Sequence, residues 1–132
     1  MNELTIAGNL TADPELRTTS TGAAVCRFRI ANTPRIKADD GTWRDGEPTF
    51  LDCQAWRALA ENIAESLRRG DRVLVAGRIR TERWDSDGQT RTRVVLEVES
   101  AGADLAYATA RPVKASRRAG GQQAMSTPDG AR

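Results

Sequence analysis

The residues of this chain best suited to chemistry are aromatic rings set among arginines. The run 72–84 reads RVLVAGRIRTERW. Val73, Val75 and Ile79 alternate with Leu74, Ala76, Arg78 and Arg80, the pattern of a strand buried first on both faces and then on one. Where the period of two continues without a bulge, Arg78, Arg80, Glu82 and Trp84 share one side. That side carries an indole, a flat π surface for stacking, beside two guanidinium groups that pair with phosphate or carboxylate. Trp43, Phe50 and Trp56 extend the set, so four of the six aromatic residues fall on or beside one expected surface.

The elements that must position these rings can be read in order. Residues 3–10 alternate apolar and polar, Asp13-Pro14 bends the chain, and Glu15-Leu16-Arg17 resumes it, giving one long kinked strand. After a turn at 18–22, residues 24–31 form a second strand with Ala24, Cys26, Phe28 and Ile30 toward the core and Val25, Arg27 and Arg29 outward. Residues 32–48 form a long hairpin loop carrying Trp43, which either caps the core or serves as a contact residue. Residues 49–56 form a third strand with Leu51, Cys53 and Ala55 inward and Phe50, Asp52, Gln54 and Trp56 outward. Residues 57–69 form the one helix: Leu59, Ile63 and Leu67 recur beside Ala60 and Ala64, while Arg68-Arg69-Gly70 supplies a basic last turn and a glycine stop. The strand at 72–84 turns at Asp87-Gly88 into a fifth strand, 91–99, in which Val94, Leu96 and Val98 share a face.

Composition bounds the function. The 132 residues suffice for one domain, expected at 1–110, followed by a disordered basic tail at 111–132. Net charge is +2, with 15 basic and 17 acidic residues in 1–110, so any nucleic-acid reading rests on where the arginines sit. There is no histidine and no CxxC pair, which leaves no zinc set and no Ser-His-Asp triad. Asp39, Asp40, Asp45 and Glu47 read as loop charge balance, not a magnesium site. No cofactor, no metal and no enzymatic activity are expected. No signal peptide or spanning segment is legible, which implies a cytoplasmic protein with no membrane partner. Cys26 and Cys53 fall at inward parity on neighbouring strands. They read as reduced core thiols, with a disulfide within or between subunits as the alternative.

Three strands, a helix and two strands is the order of the OB-fold, a five-stranded all-β Greek-key barrel whose helix between strands three and four closes one end. Several runs also carry a family resemblance: AGNLTADPELR (7–17), GAAVCRFRIANTPR (22–35), FLDCQAWRALAENIAESLRRGDRVLVAGRIRTERW (50–84) and VVLEVE (94–99). Together they resemble bacterial single-stranded DNA-binding proteins, closest to the versions of high-GC Gram-positive bacteria. The resemblance implies sequence-independent binding of single-stranded DNA in replication, repair or recombination, a homotetramer, and a nucleoid-associated location. Bases would stack on Trp43, Phe50, Trp56 and Trp84. Phosphates would meet Arg29, Arg35, Lys37, Arg57, Arg69, Arg80, Arg91 and Arg93. An OB-fold binding RNA or a protein through the same face is the alternative. The sequence departs from the family pattern in three ways. Thr33-Pro34-Arg35 stands where an aromatic is common. Glu82 interrupts a stretch that is often fully basic. The residues up to Arg132 lack the acidic tip through which family members recruit enzymes, which points to a short paralogue without tail-mediated recruitment.

Overall fold

A computed structural model describes residues 2–115. Eight strands and one helix follow in order: β1 (Glu3–Leu10), β2 (Glu15–Thr18), β3 (Ala24–Asn32), β4 (Arg35–Lys37), β5 (Trp43–Asp45), β6 (Thr49–Trp56), α1 (Arg57–Ser66), β7 (Arg72–Ser86) and β8 (Gln89–Ala103). The main sheet runs β1-β7-β8-β6-β3-β2 and closes on itself where β1 also pairs with β3. Because β1 and β2 lie along the same edge of β3, they count as the one kinked strand read from Asp13-Pro14. The result is the expected five-stranded OB barrel, with β6 and β8 parallel and the other pairings antiparallel.

Closure sets two glycine positions. A Cβ on Gly8 would lie 2.8 Å from the Ala31 carbonyl oxygen, and one on Gly77 would collide with that of Glu97, so only glycine lets these strands cross so closely. At Gly77 the register with β8 slips by one: Ala76 faces Ser100 while Gly77 faces Val98. Glu99 on β8 is the extra residue. The bulge therefore leaves the alternation along β7 intact, and it adds the local twist a small barrel needs.

Inside the barrel, Cys26, Phe28, Ile30, Cys53, Ala55, Val73, Val75, Leu96 and Val98 form one core with Ala60, Ile63 and Leu67 of the helical segment. The helix stripe is the one read from the sequence, but the helix is shorter. It ends at Ser66, and Arg68, Arg69 and Gly70 lie beyond it. The chain turns out at Leu67, whose side chain is needed in the core. Arg68 still serves the helix end from outside, its Nη1 donating to the carbonyls of Ala64 (2.7 Å) and Leu67 (2.8 Å). Gly70, at φ 90°, makes the turn back into β7.

Four further expectations are corrected. The strand at 72–84 is not buried on both faces, because Leu74 is 48% exposed on the outside of the barrel, between Ala7 and Gly102 on the neighbouring strands. Val94 is exposed while Val95 is buried, because the core ends before Val94 whereas Val95 is covered between Asp52 and Arg80. Val25, at outward parity, is buried between Arg17 and Trp56. The long loop at 32–48 contains a second sheet, the ribbon β4–β5. The tail expected from residue 111 lies mostly outside the described residues, and its described part, 111–115, has neither helix nor strand. Among the described residues no helix is long and apolar enough to cross a membrane.

Candidate nucleic-acid interface

Residues paired across adjacent strands point to the same side of a sheet, so the registers assemble the outer face row by row. Val25 sits beside Trp56, Arg27 beside Gln54, Arg29 beside Asp52 and Ala31 beside Phe50. Gln54 continues to Glu97 and Asp52 to Val95. Glu97 reaches Arg78, Val95 reaches Arg80, Arg93 reaches Glu82 and Arg91 reaches Trp84. Phe50, Trp56, Trp84, Arg29, Arg80, Arg91 and Arg93 thus lie on one continuous surface, with Phe50 54%, Trp56 38% and Trp84 43% exposed. The side shared by Arg78, Arg80, Glu82 and Trp84 is as the period of two predicts.

The arginines on this face are already engaged. Arg29 Nε donates to Asp52 Oδ1 (2.8 Å), and Arg93 Nη1 lies 3.9 Å from Asp52 Oδ2. Arg93 Nε donates to Glu82 Oε1 (3.0 Å), and Arg80 Nη2 donates to Glu82 Oε2 (3.1 Å). Arg80 also grips Glu97. That carboxylate accepts from Gln54 Nε2 (2.8 Å) and from Trp56 Nε1 (3.1 Å), while Gln54 Oε1 accepts from Arg27 Nε (2.9 Å). Gln54 was expected outward; it does point outward, yet it is 1% exposed because this chain closes over it. A buried amide is tolerated here because both of its ends are satisfied.

The pairing shifts titration. The Arg29 guanidinium is held further protonated by its hydrogen bond to Asp52 and by that charge, and Arg80 likewise by its bond to Glu97. Burial acts to raise the Glu82 carboxyl, but the hydrogen bond and charge of Arg93, with Arg27 and Arg80, outweigh it and hold Glu82 below its ordinary range. The charges also reach the rings. Arg29 stands 6.0 Å from the centre of Phe50 and Arg93 5.9 Å from that of Trp84, distances at which cation–π attraction acts. Arg27, Arg80, Thr81, Glu82, Arg83, Trp84 and Arg93 line a cleft of about 620 Å³.

The remaining predicted residues sit elsewhere. Trp43 is on the β4–β5 ribbon, 57% exposed, with Lys37 Nζ 5.9 Å from its ring; it does not cap the core. Arg35, on the same ribbon, pairs with Asp45 at 3.4 Å. Asp40 turns inward on its own loop, accepting from the Thr42 hydroxyl (2.7 Å) and N–H (3.0 Å). Among the described residues no cluster of acidic residues and cysteines is arranged to hold a metal ion. Arg57 follows Trp56 with φ 60°. Arg69 is apart from all of these: its backbone N–H donates to Asp13 at 2.8 Å, at the opposite end of β7 from Trp84. Arg91 stands near the hairpin tip, its Nη2 3.5 Å from Gln89 Oε1.

Cys26 and Cys53 are free buried thiols. Their strands pair Cys26 with Ala55 and Phe28 with Cys53, so the two sulfurs are diagonal rather than opposite. Burial pushes the Cys26 thiol up to about 11. Burial, with the charge of Asp52, pushes Cys53 up to about 12. Sequence reasoning left Arg27, Asp52 and Glu97 out of the candidate site. The available signal was parity, since Arg27 and Asp52 share the outward side with Arg29 and Phe50.

Comparison with known proteins agrees with this geometry. Over 119 residues the chain is 55% identical to the single-stranded DNA-binding protein of Mycobacterium leprae, covering 89% of this chain and 71% of that one. It is 50% identical to single-stranded DNA-binding protein 2 of Streptomyces coelicolor, covering 86% and 58%. The crystal structure of a small single-stranded DNA-binding protein from Streptomyces coelicolor superposes with a TM-score of 0.66 at 37% identity, covering 80% of this chain and 98% of that one. A family model described as the single-strand binding protein family matches residues 1–104. The closed five-stranded barrel with its aromatic outer face therefore belongs to a member of the single-strand binding protein family.

Proposed function

We propose that this chain binds single-stranded DNA without sequence preference, stacking bases on Phe50, Trp56 and Trp84 of the outer face and on Trp43 of the ribbon. The observation that carries this reading is the placing of three half-exposed rings on one face, each within reach of a charged side chain. Every base has a π face, so stacking is indifferent to sequence and is worth about 1 to 3 kcal/mol per base. Phosphates run along Arg35, Lys37, Arg57 and Arg91, while Arg29, Arg80 and Arg93 keep their carboxylate partners and stand beside the bases. Arg69 lies off this path. Quenching of tryptophan fluorescence on titration with poly(dT) tests the reading. Strong quenching, with log affinity falling against log salt by about 0.7 per phosphate neutralised, is the expected result. Absent quenching, or equal affinity for duplex, overturns it. Parallel titration with poly(U) separates DNA from RNA, a choice that depends on contacts with the 2′-hydroxyl.

We also propose that the chain acts as a homotetramer in the cytoplasm, on nucleoid DNA. The exposed Leu74 flanked by Ala7 and Gly102 supports association between copies, because it presents an apolar side chain on the outer side of β1, β7 and β8. Light scattering should give a tetramer for the wild type and a smaller species for Leu74→Glu. An unchanged mass for that variant would remove Leu74 from the interface.

A further inference from the structure

Three carboxylates stand among the arginines of the outer face: Asp52 on β6, Glu82 on β7 and Glu97 on β8. Their side chains are only 19 to 25% exposed. They are threaded between the rings, with Glu97 bonded to Trp56, Glu82 holding the arginine that covers Trp84, and Asp52 holding the one beside Phe50. A surface made only to hold phosphates has no use for them. Each occupies guanidinium donors that a phosphate needs, and each repels a phosphate brought alongside.

We propose that Asp52, Glu82 and Glu97 form a phosphate-excluding row that determines specificity, so that bases rather than phosphates lie over the middle of the face and duplex DNA is rejected. The inference deepens the proposed function and rests on it. A single strand can turn its bases down onto the rings, stacking on them whatever the sequence. Its phosphates then pass to the flanks, where the ribbon carries Arg35, Lys37 and Arg44. Duplex cannot do this. Its bases are paired inward and it leads with one negative charge per about 1.7 Å of axis, which meets the row directly. The ion pairs on all three carboxylates hold them in place.

The test titrates wild type, Glu82→Gln and Glu97→Gln with a labelled dT oligomer and with a blunt hairpin duplex. Glu65→Gln, on the outside of α1, matches the change in net charge. Wild type should prefer the single strand strongly. Each row variant should lose about tenfold or more of that ratio through a gain in duplex affinity, while the helix variant keeps it. Glu82→Asp retains the charge and should retain the ratio. A ratio within about twofold of wild type in row variants of unchanged melting temperature overturns the proposal, as does an equal loss in Glu65→Gln or Glu82→Asp. If the wild type fails to bind the dT oligomer at all, the proposed function falls with it. If the wild type binds and the ratios stay flat, only the row falls.

Discussion

The two halves of β7 show how one strand divides its work. From Arg72 to Arg78 it is paired on both sides, with β1 and with β8, and its inward residues Val73 and Val75 are wholly buried. Beyond Arg78 its strand pairing is with β8 alone, in a two-stranded arm that ends at a turn with Asp87 at φ 52° and Gly88 at φ 79°. Both centres are left-handed, as a type I′ turn requires. The first half is stitched into the core and the second carries Glu82 and Trp84 out along the candidate interface. Stability and binding are thereby assigned to separate stretches of the same strand and should respond separately to mutation.

The largest effect expected is on the barrel side. Leu96→Ala, at a fully buried site facing Ile79 and Cys53, should cost about 2 to 5 kcal/mol in denaturant unfolding. A smaller loss would mean that the core can collapse around the missing side chain. Gly77→Ala should cost about 1 to 3 kcal/mol, since its Cβ meets the Glu97 carbonyl; an unchanged midpoint would show that the bulge can relax. On the arm the order reverses. Trp84→Ala should leave the melting temperature close to wild type yet weaken poly(dT) binding by about 1 to 3 kcal/mol, and a variant that unfolds instead would erase the division. The smallest effect concerns the core thiols, whose folded values lie above the ordinary 9.0. The folded state holds these protons longer than the unfolded state. Their contribution is therefore fully present below about pH 9, so their titration leaves stability near neutral pH unchanged, and it is lost only as pH rises toward 11 and 12. Thiol reagents at pH 8 should leave the folded protein unlabelled, and rapid labelling would contradict the burial of Cys26 and Cys53.

The barrel was legible because period-two patterns survive in β1, β3 and β6, and because Gly70 and Asp87-Gly88 punctuate the chain where it turns. The rings were legible by parity. The carboxylate row was not, since Asp52, Glu82 and Glu97 meet only through the parallel register of β6 with β8 and the antiparallel register of β8 with β7, which no local pattern encodes. The same registers bury Gln54 and Val95, residues that parity alone would give to solvent. Arg68 and Arg69 misled for another reason. A basic pair before glycine looks like a helix's last turn, but the demand for Leu67 in the core ends the helix first.

The parallel seam between β6 and β8 also governs the order in which the molecule can assemble. Asp52 must find Val95, and Cys53 must find Leu96, with the helix and the whole of β7 lying between them in the chain. Until β8 exists, β6 has a bare edge open to any other extended strand, the situation that invites aggregation. A nascent chain that has emerged only through β7 holds most of its core residues but cannot close the barrel. Folding dominated by such distant pairings runs in milliseconds to seconds rather than microseconds, so this protein should be most vulnerable before β8 has emerged, with β8 as the strand that ends that stage.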